Sequence, residues 1–389
     1  MPYSVYLKKG EEKRIMEGHP WIYANEVMKI VGKDKQGSIA KVYADNGKFI
    51  GQGYINHLSK IIVRMLSNDE REIDEQFFMD RINSANRMRQ SLNGFQDSAR
   101  IVFGEADGLP GLVVDKYADY LVIQVLTYGI EIRKDIIINV LKTIFNPKGI
   151  YERSDVPIRE KEGLEQFKGL LFGEIPDRVE ILENGVKMSV DVINGQKTGH
   201  FLDQKENRAA IAPYVKDKKV LDCFSHTGGF AMHACKYGAK EVIATDISEH
   251  AIESIQANAK LNGYNVATEC VDVFEYLRNL KRDNVKFDTI ILDPPAFTKS
   301  RDSIDDAIRG YRDINIQALK AINHGGYLIS CSCSHFITSE MFIDMLKSAA
   351  LSVGVKVRLL ELRMQSRDHS MLLGSEESMY LKCAILYIE

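Results

Sequence analysis

Cysteine is scarce in this 389-residue chain and poorly spaced for scaffolding. Its six cysteines, at 223, 235, 270, 331, 333 and 383, all fall in the second half, and none forms a Cys-x-x-Cys pair. A disulfide framework and a zinc site are therefore not expected, and no metal is assigned. No apolar run approaches the roughly 18 residues that a bilayer span requires. The opening Met1-Pro-Tyr-Ser-Val-Tyr-Leu-Lys-Lys9 also lacks the apolar core of a secretory signal. A cytoplasmic setting with no membrane partner is the expectation. Only one tryptophan is present, and the net charge of −3 gives no global excess of one sign.

What is present is ample core material. Apolar residues make up 45% and charged residues 27% of a chain too long for one ordinary domain. The near-neutral total hides a local bias. Residues 1–66 hold eleven Lys/Arg against six Asp/Glu, a net of +5. A compact basic module of this kind suits contacts to a nucleic-acid backbone.

Three segments follow from the patterning. Residues 1–72 read as short strands broken by glycine: after Gly18-His19-Pro20, then 37–43, 48–55 and 60–65, which predicts a small β-barrel. Trp21 is either a base-stacking surface or a core residue of that barrel. Residues 73–185 open with a helix over about 74–92, whose Phe77, Phe78, Ile82, Ala85 and Met88 recur at helical spacing. Strands and one further helix follow, predicting a middle α+β domain with no nucleophile–base arrangement. Residues 186–389 alternate strand and helix patterns, which predicts βαβ units in a doubly wound Rossmann-like sheet. The tail, 355–389, reads as two strands around a polar loop, giving the sheet an antiparallel last strand.

The richest stretch is Ile290-Ile-Leu-Asp-Pro-Pro-Ala-Phe297. An apolar strand is stopped by two prolines directly after Asp293, at the carboxyl end where open α/β sheets place their ligands. Asp293 is thereby offered to a pocket, with Phe297 near it for a flat ring. Such an arrangement suits modification of a nucleobase.

Three further strand ends carry acids. Asp222 lies under the turn Asp222-Cys-Phe224-Ser-His-Thr-Gly228-Gly229, and Asp246 ends the next strand seventeen positions after Gly229. A carboxylate there accepts hydrogen bonds from ribose hydroxyls. Asp272 and Phe274 suit an adenine edge and face, and Asp222 suits the cationic amino-acid end of S-adenosylmethionine. The residues around these tips, namely Phe224, Ser225, Thr227, Gly228, Gly229, Ile247, Ser248, Val273 and Pro294, complete the expected cofactor set. A dinucleotide fits less well, because the glycines do not follow Gly-x-Gly-x-x-Gly.

Gly326-Tyr-Leu-Ile-Ser-Cys331-Ser-Cys333-Ser334 is the following strand, running to its tip. Cys333 is nearer the pocket, and Cys331 is deeper. A thiolate is the nucleophile needed to activate C5 of a pyrimidine by adding at C6. Asp293 and Cys333 are thus the candidate catalytic pair.

The chain resembles the PUA-domain-containing ribosomal RNA large-subunit methyltransferases of the cytosine-C5 type. The likeness rests on Arg14, Gly18-His-Pro-Trp21, Gly51-Gln-Gly53 and Arg64 in the first segment. In the last it rests on Asn194 to Arg208, Leu221 to Phe230, Asp293 to Phe297, Arg309 to Asn315 and Ser332-Cys333-Ser334. The resemblance implies methyl transfer to cytosine C5 of 23S rRNA, free or in an assembling large subunit, with Cys333 as nucleophile. It also implies that Lys197, Thr198, Phe201, Asp203 and Gln204 close over S-adenosylmethionine, that Asn258 sits behind its ribose, and that the protein is a homodimer. Arg14, Trp21, Arg64, Arg208 and Lys299 are candidate RNA contacts. Two alternatives remain: a purine N-methyltransferase on rRNA using Asp-Pro-Pro-Phe, and a non-catalytic RNA-binding assembly factor.

Overall fold

The structure, a computed structural model, describes residues 3–33, 36–298 and 301–389, with the side chains of Arg301 and Glu376 outside that description. Lys299, an expected RNA contact, therefore lies outside the described residues. The chain divides into two compact units. One comprises the residues up to Ile181 with Val190–Leu202 and Asp368–Ser378; the other comprises Leu182–Ser189, Asp203–Arg367 and Met379–Glu389.

The first unit contains two sheets. A six-stranded mixed sheet runs in the order Trp21–Tyr23, Ile61–Ser67, Phe49–Ile55, Ile39–Tyr43, Tyr3–Leu7, Val27–Val31. Sequence patterning gave its middle strands but not Tyr3–Leu7 or Val27–Val31. Tyr3–Leu7 pairs parallel to Ile39–Tyr43, a long-range contact that no turn signal announces. The second sheet has five strands, Phe167–Gly173, Gly149–Ser154, Tyr120–Val125, Leu112–Tyr117 and Ser98–Phe103. The helix Glu75–Gln90 begins at Asp74, whose side chain accepts from the Phe77 N–H; such a cap satisfies an otherwise orphaned donor. Phe77, Phe78, Ile82 and Ala85 then share one core with Ile137, Val140, Leu141 and the five-stranded sheet.

Tyr54 and Leu66 of the six-stranded sheet belong to that same core. The Tyr54 hydroxyl bonds the Pro110 carbonyl at 2.6 Å and Thr127 at 2.8 Å. A Cβ at position 129 would lie 2.1 Å from the Tyr54 ring, so only glycine fits there. The first two sequence segments are thus packed into one compact unit.

The second unit is built on seven strands. They run Ala267–Cys270, Glu241–Asp246, Lys219–Cys223, Phe287–Leu292, Ile322–Ser332, Lys382–Ile388, Val357–Arg363. The first five are mutually parallel, and Lys382–Ile388 runs antiparallel to both its neighbours. The expected doubly wound sheet with a reversed last strand is what forms. Its central strands are buried on both faces, which is why they read as unbroken apolar runs. Ser248, Asp272 and Thr338 cap the helices Glu249–Asn262, Val273–Arg282 and Ser339–Val353. Parallel strands feeding helices put the carboxyl ends of these five strands on one rim of the sheet. Among the described residues no helix is long and apolar enough to cross a membrane, and no cluster of side chains suits a metal ion.

Candidate active site

The rim of the seven-stranded sheet carries the acidic tips. The turn after Lys219–Cys223 concentrates left-handed backbone. Phe224, His226 and Gly228 have φ of 59°, 53° and 84°, so every second residue is left-handed. Such conformations cost energy in residues other than glycine and gather at functional sites. The turn is held from behind. Asn258, fully buried, donates to the Thr227 carbonyl at 2.9 Å and accepts from the Ser189 N–H at 2.8 Å. It braces the turn, consistent with a place behind the ligand rather than against it.

Gly229 is glycine for a reason that the sequence did not reveal. A Cβ there would lie 2.9 Å from the Arg208 side chain. Arg208 runs beneath the turn and is 3% exposed, with Nε and Nη2 bonded to the two Glu183 carboxylate oxygens at 2.6 and 2.9 Å. The expectation that Arg208 meets RNA phosphate is corrected: its charge is already compensated by a buried carboxylate. Burial pulls the adjacent His233 imidazole down to about 4, which keeps it neutral beside that pair.

Asp222 is fully buried. One of its oxygens accepts from the Ser225 hydroxyl and, at 3.0 Å, from the Ala231 N–H. The other, Oδ1, has no hydrogen-bond partner among the described residues. Burial pushes the carboxyl up to about 7; the Asp293 charge adds to this, while Ser225 and the Ala231 amide oppose it. An orphaned, desolvated acceptor beside a glycine turn is complementary to a cationic amino group. S-adenosylmethionine carries one, so the residues present fit that cofactor.

Asp246 presents a carboxylate fixed by two backbone donors, His226 N–H at 2.9 Å and Ser248 N–H at 3.0 Å. Each oxygen keeps a further lone pair for a ligand hydroxyl. Ile247, next to it, is 71% exposed, an apolar surface at the rim. Asp272 uses one oxygen to cap its helix through the Glu275 N–H. Val273 is buried, so only its backbone is available to a ligand. Phe224, Phe274, Phe297 and Tyr311 form a chain of ring contacts with centroids 6.3, 5.9 and 4.5 Å apart.

Two features the sequence reading left without a role shape the catalytic corner. A Cβ at Gly310 would meet the Phe297 ring at 3.1 Å, so the small residue lets the Asp-Pro-Pro-Ala-Phe segment settle on its helix. Tyr311 bonds the Ser334 hydroxyl at 2.8 Å. The Arg309-Gly-Tyr311 stretch thus ties two strand tips together. Gln204 donates to Asp293 Oδ1 at 2.9 Å, and the Asp203 carboxylate accepts from the Tyr380 hydroxyl at 2.7 Å.

The two candidate thiols have opposite settings. Cys331 is fully buried and pairs across the sheet with Cys383. The Cys383 thiol and burial together push Cys331 well above the ordinary thiol range. Cys333 lies just past the strand end, partly exposed, with Sγ 3.9 Å from the Pro294 carbonyl. Only Cys333 has solvent access beside Asp-Pro-Pro.

In the first unit the expected RNA contacts have internal partners, and for Arg64, which is buried, this corrects the expectation. Arg64 is 7% exposed and ion-paired with Glu162 at 2.8 Å, with Glu105 at 3.5 Å. The Trp21 indole donates to Glu105 at 2.8 Å, and its ring faces the Arg64 guanidinium at 5.6 Å. Arg14 bonds Glu26 at 2.5 Å and the Trp21 carbonyl at 3.1 Å. Of the residues expected to close over the cofactor, Lys197, Thr198 and Phe201 belong to this unit. Thr198 is buried, bonded to Asp115 at 2.6 Å, and Lys197 stands over the Phe201 ring at 4.7 Å.

A parallel sheet with a reversed last strand, a glycine turn and acids on successive strand ends defines a class I methyltransferase domain. Residues 165–364 match the S-adenosylmethionine-dependent methyltransferase family and residues 5–68 match a PUA-like domain. The chain belongs to that methyltransferase family and carries a PUA-like domain ahead of the catalytic one. It is 40% identical over 393 residues to ribosomal RNA large subunit methyltransferase I of Aliivibrio fischeri, covering 98% of both chains. To the protein of the same name from Vibrio cholerae it is 40% identical over 401 residues, covering 99% of this chain and all of that one. Among solved structures, SMU.776 complexed with SAH superposes with a TM-score of 0.85 over the full length of both chains at 21% identity, a likeness of fold.

Proposed function

We propose that this protein methylates C5 of a cytosine in large-subunit ribosomal RNA, 23S in kind, through a covalent adduct at Cys333. The observation that carries this reading is the contrast between the two thiols. Cys331 is sealed and protonated beside Cys383, whereas Cys333 stands partly exposed beside the Pro294 carbonyl. The names of the relatives at 40% identity support the RNA class.

Bound S-adenosylmethionine supplies an electrophilic sulfonium methyl. The chain's own residues do the rest. Asp222, Asp246 and Asp272 hold the cofactor's charged and polar ends. Asp293, fixed by Gln204, receives the N3/N4 edge of the cytosine. The Cys333 thiolate adds to C6, which makes C5 nucleophilic; C5 would take the methyl as the donor leaves as S-adenosylhomocysteine, and transfer of the C5 proton to a base then expels the thiolate and restores the ring. The target base lies in a loop or is turned out of the helix, because stacking hides C6.

The experiment is incubation with 5-fluorocytidine-substituted 23S rRNA and S-adenosylmethionine, where fluorine blocks the final elimination. A stable protein–RNA adduct is expected in the wild type and in Cys331→Ala, and none in Cys333→Ala. Absence of any adduct, together with normal methylation by Cys333→Ala, overturns the reading in favour of transfer to a ring or exocyclic nitrogen.

A further inference from the structure

Lys382 is a buried cation in an apolar setting. It opens the strand Lys382–Ile388, whose next residues are Cys383, Ala384, Ile385 and Leu386, and it is 2% exposed. Its Cα lies opposite Ser332, the last strand residue before Cys333. Its amino group donates to the Ser334 carbonyl at 2.7 Å and to the Tyr380 carbonyl at 2.9 Å. Among the described residues no carboxylate pairs with it. An ammonium group has three N–H donors, so the two carbonyls leave one unused. A buried positive charge without an anion is costly and calls for a compensating negative group.

That group is at hand. The Lys382 amine is bonded to the backbone of the residue that follows Cys333, and the two side chains interact electrostatically. We propose that Lys382 is a positioning residue for Cys333: held at the strand tip by the Ser334 and Tyr380 carbonyls, its ammonium group stabilises the thiolate form of the neighbouring sulfur. This rests on Cys333 being the nucleophile and says how its reactive form is maintained. Burial pulls the Lys382 amine down to about 8, and the Cys333 charge acts in the opposite direction. Cation and thiolate therefore favour one another. Groups beside the pair include the Pro294 carbonyl, the Ser334 hydroxyl and the Tyr311 hydroxyl, with Asp293 and His335 adjoining them in the chain. Burial raises the Tyr311 hydroxyl above its usual range, so it is neutral near pH 7. Asp293 has the wrong sign to aid a thiolate. Lys382 is the buried cation at this tip.

The test is the pH dependence of Cys333 alkylation by iodoacetamide in the full-length protein, followed by peptide mass mapping. Wild type, Lys382→Arg and Lys382→Met are compared between about pH 5.5 and 10, a range spanning the ordinary thiol pKa near 8.5. The midpoint reports the charge environment, and the high-pH plateau reports access to the sulfur. In wild type the midpoint is expected below 8.5. Lys382→Met is expected to raise it by about one unit or more, slowing modification near neutrality roughly tenfold, with Lys382→Arg close to wild type. A wild-type midpoint at or above the ordinary value overturns the proposal even if Lys382→Met fails to fold. So does a Lys382→Met protein with an altered plateau and an unchanged midpoint, because that behaviour belongs to a backbone staple. Alkylation needs no RNA. Failure here is thus distinct from failure of the nucleophile assignment, which appears only as normal methylation by Cys333→Ala.

Discussion

Gln204 donates its side-chain amide to Asp293 Oδ1 at 2.9 Å, while its own carbonyl accepts from Asn207 at 2.7 Å. Asn207 in turn accepts from Arg363 at 3.1 Å. The carboxylate proposed to read the cytosine edge is thus aimed by a relay of side chains rather than by its strand alone.

Removing the amide while keeping the volume isolates this aim. Gln204→Leu is expected to lower kcat for RNA methylation by about 10- to 100-fold, the equivalent of one hydrogen bond to a charged group, about 1.5–3 kcal/mol. Binding of S-adenosylmethionine, measured by calorimetry, is expected to change far less. Unchanged kcat would mean that Asp293 needs no such support.

Asp222 links cofactor binding to pH. Its folded carboxyl lies near 7, above the ordinary 3.8, chiefly because it is buried. A raised carboxyl binds its proton more tightly in the folded state. The stability it contributes is present below about pH 4 and is lost as pH rises through about 7, amounting to a few kcal/mol. Asp222→Asn is therefore expected to melt higher than wild type at pH 8 without cofactor, and to match it more closely at pH 4. The same variant is expected to bind S-adenosylmethionine at least about tenfold more weakly, having lost the charge opposite the ammonium group. Thermal melts at the two pH values and calorimetry check both parts. Tighter cofactor binding by the variant would contradict the assignment.

Arg208 is expected to matter for stability and not for RNA. Arg208→Met removes the guanidinium that compensates the buried Glu183 carboxylate, which costs about 3–5 kcal/mol in denaturant unfolding. Adding Glu183→Leu in the same chain is expected to recover most of that loss. The salt dependence of RNA binding should not change, because no phosphate contact has been removed. A shallower salt slope in Arg208→Met would restore the RNA role.

How much was legible in the sequence differs between elements. The strands ending at Cys223, Asp246 and Leu292 were readable because apolar runs stopped by Gly, Asp or Pro are local signals. Tyr3–Leu7 was not, because its partner at Ile39–Tyr43 is remote and parallel. The acids on the rim were found because a residue type at a strand end carries its own meaning. Lys382 had a faint signal, a single cation opening an otherwise apolar strand, but nothing local connects it with Ser334.

The sequence by itself determined the class of fold, the acidic tips and the Asp-Pro-Pro corner, since periodicity and chain-breaking residues act within a few positions of one another. Only the tertiary structure decided which groups are chemically available. Arg64 and Arg208 look alike to any sequence reading as cations for phosphate, yet buried carboxylates already neutralise both. Cys331 and Cys333 stand two residues apart, yet strand register seals one thiol against Cys383 and the strand's end leaves the other open. Charge and nucleophilicity depend on what lies across the sheet or beneath the turn, and folding alone brings those partners together.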